Sequence, residues 1–148
     1  MTELRSRYDI RKVMVLCTAM LRNKWKMELK KRFGISADLA GPREICDAFK
    51  EIRSGDRLDY TYICGMQGLR PHRGWDDEKV TNDNASILAR VMEENQDEEP
   101  LIDLLIIDEA HYLRNPESMT SQLGRLLKGI SANIVLLSAT PIHLKNQD

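Results

Sequence analysis

The feature of the sequence that most constrains the fold is an aliphatic run that ends in two acids. Residues 104–107, Leu-Leu-Ile-Ile, are followed at once by Asp108 and Glu109. A run without polar interruption suits a strand that is covered on both faces, as in a parallel α/β sheet. Because ligands bind at the carboxyl ends of such strands, the two carboxylates are the first candidates for site residues.

Two adjacent carboxylates beside an apolar strand are unfavourable unless a cation or several hydrogen-bond donors compensate their charge. A divalent metal carried on a nucleotide would do so, with one acid holding Mg²⁺ while a neighbouring polar group positions the attacking water. The alternative is structural: Asp108 could be the N-cap of a helix with Glu109 in its first turn, where both favour the helix dipole. The pair alone leaves both interpretations open.

Strand and helix patterns alternate along the chain without internal repeats. Strands are predicted at residues 13–17, 35–39, 58–64, 104–107 and 134–137. Helices are predicted up to a stop at Gly34, from Gly41 and Pro42 to Ser54, around residues 87–92, and from Asn115 and Pro116 to residue 130. The alternation predicts an α/β fold with a parallel sheet and helices on both of its faces.

Length and composition exclude several classes of protein. With 148 residues and 42% hydrophobic residues, the chain can bury one core of ordinary size. It contains no apolar run near the ~20 residues of a membrane helix, and residues 1–11 are unlike a signal peptide. We therefore expect a soluble protein without a membrane partner, in the cytoplasm of a bacterium or the nucleus of a eukaryote. Three widely spaced cysteines indicate reduced, mostly buried thiols: Cys17, Cys46 and Cys64.

Charge is distributed unevenly between the two halves of the chain. Residues 1–75 contain 16 Lys or Arg and 9 acids, whereas residues 76–148 contain 6 and 14. A basic half can supply phosphate contacts to nucleic acid, but a solvated helix face gives the same count. Charge alone therefore does not identify a partner.

A second polar group follows the last predicted strand. Ser138 comes 30 residues after Asp108, with one amphipathic helix between them, which is the length of one strand, helix, strand crossover. Both residues should therefore lie at the same edge of the sheet. There, Ser138 and Thr140 could offer hydroxyl groups to His111 or to a phosphate. The alternative is that one of them merely caps the turn before Pro141.

These residues together carry a resemblance to superfamily 2 helicases. The sequence Asp-Glu-Ala-His at 108–111 resembles the DEAH form of helicase motif II, and Ser-Ala-Thr at 138–140 resembles motif III. The segments that follow each motif, with Arg114, Asn115 and Pro116 after the first and Pro141 and Ile142 after the second, are similar to those of the Swi/Snf-like branch of DNA translocases. Residues 15–21 with Trp25 and Glu28 resemble that branch's motif Ia, and residues 63–70 resemble a divergent motif Ib.

The resemblance covers about residues 11–146 and implies a RecA-like fold of the P-loop NTPase type. It implies part of an ATP-dependent motor that moves on double-stranded DNA, with ATP and Mg²⁺ as cofactors. Asp108 would bind Mg²⁺ through water, Glu109 would activate the attacking water, and His111 would sense the γ-phosphate. Ser138 and Thr140 would couple that state to movement.

The resemblance also implies a nucleic-acid surface. Residues of motifs Ia and Ib would touch backbone phosphates and position the strand without reading its sequence: Thr18, Ala19, Arg22 or Lys24, Cys64 and Gly65. Two departures from the branch bear on these contacts. Thr18 stands where the branch has Pro, and motif Ib has Cys-Gly-Met where the branch has Thr, Ser and Tyr. Trp25 falls within an apolar stripe, so we expect it in the core rather than stacked on a base.

The sequence contains no phosphate-binding loop of the form G-x-x-x-x-G-K-[ST]. The family places this loop just before the helix that would end within residues 1–8. We therefore expect residues 1–148 to be part of a first RecA-like domain that is incomplete at its N-terminus, without the loop and without the second RecA-like domain. Such a segment alone should be inactive.

Two other functions are compatible with these residues. The first is a degenerate, non-hydrolysing module that binds nucleic acid and retains the RecA-like sheet. The second is a metal-dependent hydrolase that uses Asp108, Glu109 and His111 directly, although the sequence offers no further clustered His or Asp.

Overall fold

The structure, a computed structural model, describes residues 9–138. Five parallel strands form one sheet in the order β2-β3-β1-β4-β5. The strands are β1 (Lys12–Cys17), β2 (Asp38–Leu39), β3 (Tyr60–Gly65), β4 (Ile102–Ile107) and β5 (Ser131–Leu136). The helices are α1 (Arg22–Phe33), α2 (Pro42–Ser54), α3 (Met66–Leu69), α4 (Asn84–Glu94) and α5 (Met119–Gly129), with 3₁₀ turns at Ala19–Leu21 and Ala110–Leu113.

Local signals set the helix ends that the sequence predicts. Gly34 ends α1 with a φ of 67°, in the left-handed region that favours glycine, and its N–H donates to the carbonyls of Leu29 and Lys30. At the start of α2, the backbone N–H of Gly41 donates to Glu44 Oε1 at 2.8 Å, and Pro42 occupies the first turn. Both predicted boundaries are confirmed.

The sheet packs against helices on both faces, as predicted. The first face carries α2, α4 and α5, whose buried side chains meet Met14, Leu16 and Leu105. Among the described residues, the second face carries α1 alone, with Leu29, Trp25 and the preceding Leu21 against Val13, Val15 and Ile106. With one described helix on the second face and three on the first, the second face is less covered at β5, the strand that follows β4 in the sheet. Within residues 9–138, no helix is both long and apolar enough to span a membrane.

Two predicted boundaries are wrong. Helix α5 begins at Met119 rather than at Asn115 and Pro116, because Asn115 Oδ1 accepts the N–H of Glu117 and builds a turn there. Ser118 then caps the helix by accepting the N–H of Ser121 at 3.0 Å. The second strand is reduced to Asp38–Leu39, which pairs only with Tyr62 and Ile63 of β3.

Strand β5 lies at an edge of the sheet and is unusually exposed for an aliphatic strand. Ile134, Val135, Leu136 and Leu137 are 40%, 40%, 53% and 39% exposed. Residues 131–138 contain no charged side chain and no proline, so nothing on the strand opposes pairing with a further strand. The opposite edge, β2, is only two residues long.

Candidate nucleotide and metal site

Asp108 and Ser138 follow the carboxyl ends of the neighbouring parallel strands β4 and β5, which confirms the prediction from their spacing. Backbone hydrogen bonds of 2.8 Å extend the sheet past the strand ends, from Asp108 N to Leu16 O and from Leu137 N to Ile107 O. Ala110 N then donates to Leu137 O, also at 2.8 Å. The segment that carries the acids is thus held against the end of β5. Thr140 lies outside the described residues.

Glu109 adopts a backbone conformation that is rare for any residue other than glycine. Its φ is 59° and its ψ 48°, in the left-handed region, which costs about 1 kcal/mol or more for a residue with a Cβ. The conformation turns the chain sharply between β4 and the turn at Ala110–Leu113. The interpretation of Asp108 as an N-cap with Glu109 in the first turn is wrong, because Glu109 precedes the turn in a left-handed conformation and Asp108 Oδ2 accepts from a side chain, Trp25.

The indole of Trp25 contacts Asp108 directly. Trp25 Nε1 donates to Asp108 Oδ2 at 2.9 Å, across 83 positions of sequence. The prediction that Trp25 belongs to the core is confirmed, because its ring packs against the second-face core. The sequence did not predict the polar contact, although a half-buried indole N–H normally requires an acceptor.

Asp108 and Glu109 line a cavity of about 400 Å³ between the carboxyl end of β4 and α1. The remaining lining residues are Leu21, Lys24, Trp25 and Glu28. Within residues 9–138, neither Asp108 nor Glu109 forms an ion pair with a lysine or arginine. The cavity therefore holds two adjacent carboxylates whose charge no lysine or arginine of the described residues compensates through an ion pair.

These residues fit a magnesium ion of the kind that accompanies a nucleotide. Mg²⁺ is usually bound by one or two carboxylates, several waters and substrate phosphates rather than by a full set of protein ligands. Within the described part of the chain, no group of three or more His, Cys, Asp or Glu could hold a metal ion. A hydrolase that binds its metal by protein ligands alone therefore finds no support in residues 9–138.

His111 lies beside Glu109 on the 3₁₀ turn. Its Nδ1 is 3.5 Å from Glu109 Oε1, and its ring is 4.5 Å from that of Tyr112. Nδ1 is shielded from solvent and has no hydrogen-bond partner among the described residues. A buried polar atom without a partner is costly, so His111 has an unused hydrogen-bonding position next to the carboxylates.

Cys17 is a buried thiol close enough to Asp108 to feel its charge. Burial, together with that charge, raises the pKa of Cys17 to about 11. All three cysteines are buried and free of disulfides, as predicted.

The residues predicted to touch nucleic acid do not all lie together. Ala19, Arg22 and Gly65 line a separate cleft of about 200 Å³, together with Gly68 and the start of α2. Gln67 Oε1 accepts the N–H of Ala19 at 3.1 Å and ties the two predicted motifs together. A Cβ on Gly65 would lie 3.4 Å from Ala19 Cα, an ordinary van der Waals contact, so the two segments approach closely at this point.

The other residues of that prediction are placed differently. Lys24 lines the cavity of Asp108 and Glu109 instead of the cleft. Thr18 is half-buried and precedes the 3₁₀ turn at Ala19–Leu21. Cys64 is fully buried, so it does not reach the surface of the described chain.

Gly124 allows the segment that carries His111 to pack against α5. A Cβ at this position would lie 3.0 Å from Leu113 Cδ1 and Cδ2. Gly124→Val should therefore lower the free energy of unfolding by about 1–3 kcal/mol, as overpacking typically does. Urea denaturation measures this change. Gly68→Val is the control, because a Cβ there meets no atom within 4 Å; equal losses in both variants would contradict the packing argument.

Comparisons with known proteins support the α/β fold described above. No family model matches the chain. The chain is 21% identical over 136 residues to RNA polymerase-associated protein RapA of Vibrio campbellii (strain ATCC BAA-1116), and equally to that of Vibrio atlanticus (strain LGP32). Each match covers 90% of this chain and 12% of the relative's length.

A solved structure, the Sulfolobus solfataricus SWI2/SNF2 ATPase core in complex with dsDNA, matches with a TM-score of 0.54 and 20% identity. The match covers 99% of this chain and 25% of that one. The five-stranded parallel sheet thus has the fold of a RecA-like domain, as predicted. These similarities to RapA and to a SWI2/SNF2 ATPase core agree with the predicted resemblance to the Swi/Snf-like branch of superfamily 2 helicases.

Proposed function

We propose that residues 1–148 are part of the first RecA-like domain of a Swi/Snf-like motor, which couples ATP hydrolysis to movement on double-stranded DNA. The observation that carries the proposal is the acid pair at the end of β4, which lines a cavity and forms no ion pair with a lysine or arginine of residues 9–138. The fold shared with an ATPase core supports it. The chain spans 12% of the length of these relatives, and the activity is proposed for a motor of which this chain is one part.

The residues of the site divide the chemistry between them. Asp108 would hold Mg²⁺, and the bound metal would supply charge neutralisation for the phosphates. Glu109 orients the attacking water and accepts its proton. His111 lies next to Glu109 with Nδ1 available for a partner, on the side proposed for the γ-phosphate. Ser138 and Thr140, beyond the end of β5, couple this state to movement.

The phosphate-binding loop has a natural position beside β5. A strand paired with the free edge of β5 would bury Ile134, Val135, Leu136 and Leu137. The carboxyl end of a parallel strand there would lie beside those of β5 and β4, on the side of the sheet where Asp108 is found. The loop that follows it would then face the two carboxylates. The sequence of residues 1–148 contains no such loop, so another segment must provide it.

The coding sequence upstream of Met1 tests this domain assignment. An in-frame aliphatic strand that leads into G-x-x-x-x-G-K-[ST] is expected. A genuine start codon at Met1, with its own expression signals, would instead favour the alternative function. That alternative is a degenerate, non-hydrolysing nucleic-acid-binding module, and the missing phosphate loop is the observation in its favour.

The cleft of Ala19, Arg22 and Gly65 is the proposed contact with the DNA backbone. Arg22 is the cation of this cleft, and its Nε donates to Ala19 O at 3.3 Å, which orients the side chain. A guanidinium held in this way can pair with a phosphate while the small residues let the backbone approach.

Arg22→Ala should weaken binding of the chain to a 20-base-pair duplex, measured by fluorescence anisotropy over a series of salt concentrations. Losing one phosphate contact should reduce the slope of log K against log salt by about 1. Arg125→Ala is the matched control, because Arg125 lies on α5 and pairs with Glu93. Identical salt slopes for the two variants would remove Arg22 from the interface.

A further inference from the structure

The ring of Trp25 packs against the core, and its polar N–H group points to the acid pair. Its ring packs against the core of the second face, next to Leu21 and Ile35. Its only polar atom, Nε1, donates to Asp108 Oδ2 at 2.9 Å. The rest of the ring lines the cavity that contains Asp108 and Glu109. One side chain thus connects helix α1 to the carboxylate at the end of β4.

This contact constrains a carboxylate that would otherwise rotate. Asp108 N is bonded to Leu16 O, which fixes the backbone but leaves the side-chain torsions free. Among residues 9–138, no other side chain donates a hydrogen bond to Asp108. The indole therefore determines which oxygen is occupied: Oδ2 is engaged by Trp25, and Oδ1 has no partner within the described chain.

The chemistry of the donor is suited to this role. An indole N–H is a single donor without charge, so it orients Asp108 and does not neutralise it as an arginine would. The carboxylate keeps its affinity for a cation while its direction is restricted. Carboxylates that bind metals are commonly oriented by such hydrogen bonds, and removing one typically costs about 10–100-fold in metal affinity.

We propose that Trp25 is a positioning residue that orients the Asp108 carboxylate for a divalent cation in the cavity. This inference rests on the metal role given to Asp108 in the proposed function. It assigns to helix α1 a part in the nucleotide site in addition to its part in the core.

Binding of Mn²⁺ to the 148-residue chain, measured by electron paramagnetic resonance, tests the inference without any assay of activity. Mn²⁺ serves as the probe because it is detected directly, and excess Mg²⁺ should displace it. The wild-type chain should bind one ion at this site, and Asp108→Asn should lose that binding. Trp25→Phe, which keeps an aromatic ring but lacks the N–H, should weaken the affinity about tenfold. Trp75→Phe, at a half-buried ring outside the cavity, should leave it unchanged.

The possible outcomes separate the inference from the function on which it rests. No Mn²⁺ binding by the wild-type chain, either alone or with ATP, would overturn the metal role of Asp108, and with it this inference. Binding that persists with equal affinity in Trp25→Phe would overturn the inference alone. Thermal unfolding of Trp25→Phe, followed by circular dichroism, shows whether the variant is folded under the conditions of the measurement.

A spectroscopic signature provides the same test without altering Trp25. The chain has two tryptophans, so its ¹H–¹⁵N spectrum contains two indole signals, and Trp75→Phe identifies that of Trp25. Mg²⁺ should shift the Trp25 signal and leave that of Trp75 in place, and Asp108→Asn should abolish the response. A Trp25 signal that is unchanged by both Mg²⁺ and Asp108→Asn would contradict the proposed contact.

Discussion

Glu109→Gln should lower the rate of ATP hydrolysis by about 10²–10⁴-fold, the usual contribution of a general base. The amide preserves the shape of the side chain but cannot accept a proton from water. Since Glu109 already tolerates the left-handed conformation, glutamine should adopt the same backbone. Nucleotide binding should therefore be retained. The rate is measured with duplex DNA present, in a protein that carries this chain together with a phosphate-binding loop.

Glu93→Gln is the matched control for that experiment. Glu93 lies on the far helix α4 and pairs with Arg125, so the same change of charge there should leave the turnover rate within about twofold, because an exposed pair contributes little. Unchanged turnover in Glu109→Gln would remove Glu109 from the mechanism. Lost nucleotide binding in that variant would instead indicate a role for Glu109 in holding the ligand.

Phe49→Ala should lower the free energy of unfolding by about 3–5 kcal/mol, the range found for large aromatic side chains in cores. Phe49 is 1% exposed, between α2 and the first face of the sheet, with its ring 6.4 Å from that of Tyr60. Domains of this size are stable by only about 5–15 kcal/mol. The substitution should therefore leave the chain close to its unfolding transition, which urea denaturation measures.

The only other phenylalanine in the chain provides the control. Phe33 is 50% exposed at the end of α1, so Phe33→Ala should change the free energy of unfolding by no more than about 0.5 kcal/mol. If the two substitutions cost the same, the cluster between α2, α4 and α5 is not the core on which the sheet depends.

Elements whose signals are local were predictable from the sequence. The aliphatic run before Asp108 predicts β4, Gly34 predicts the end of α1, and Gly41 with Pro42 predicts the start of α2. The start of α5 was not predictable in this way. Asn115 and Pro116 are good helix starters in isolation, but the turn built by Asn115 Oδ1 and the cap at Ser118 delay the helix.

The exposure of β5 could not be predicted from its own residues. Residues 134–137 are as apolar as those of β4, and hydrophobicity alone predicts burial for both. The difference is one of position in the sheet, because among residues 9–138 β4 has a strand on each side and β5 has a strand on one side only. Position in a sheet depends on the pairing of all strands and not on any one of them.

The sequence by itself determined which residues form the acid pair and that Ser138 lies at the same sheet edge. Those results follow from chain-local rules, namely the end of an aliphatic strand and the length of one parallel crossover. Only the tertiary structure decided the left-handed backbone of Glu109, the contact of Trp25 with Asp108, and the separation of Lys24 from the cleft of Arg22. The backbone of Glu109 lies between Asp108 and Ala110, whose N–H groups are held by Leu16 and Leu137 of neighbouring strands. The other two results depend on how α1 packs against the sheet, which joins residues 83 positions apart, a distance over which sequence periodicity carries no information.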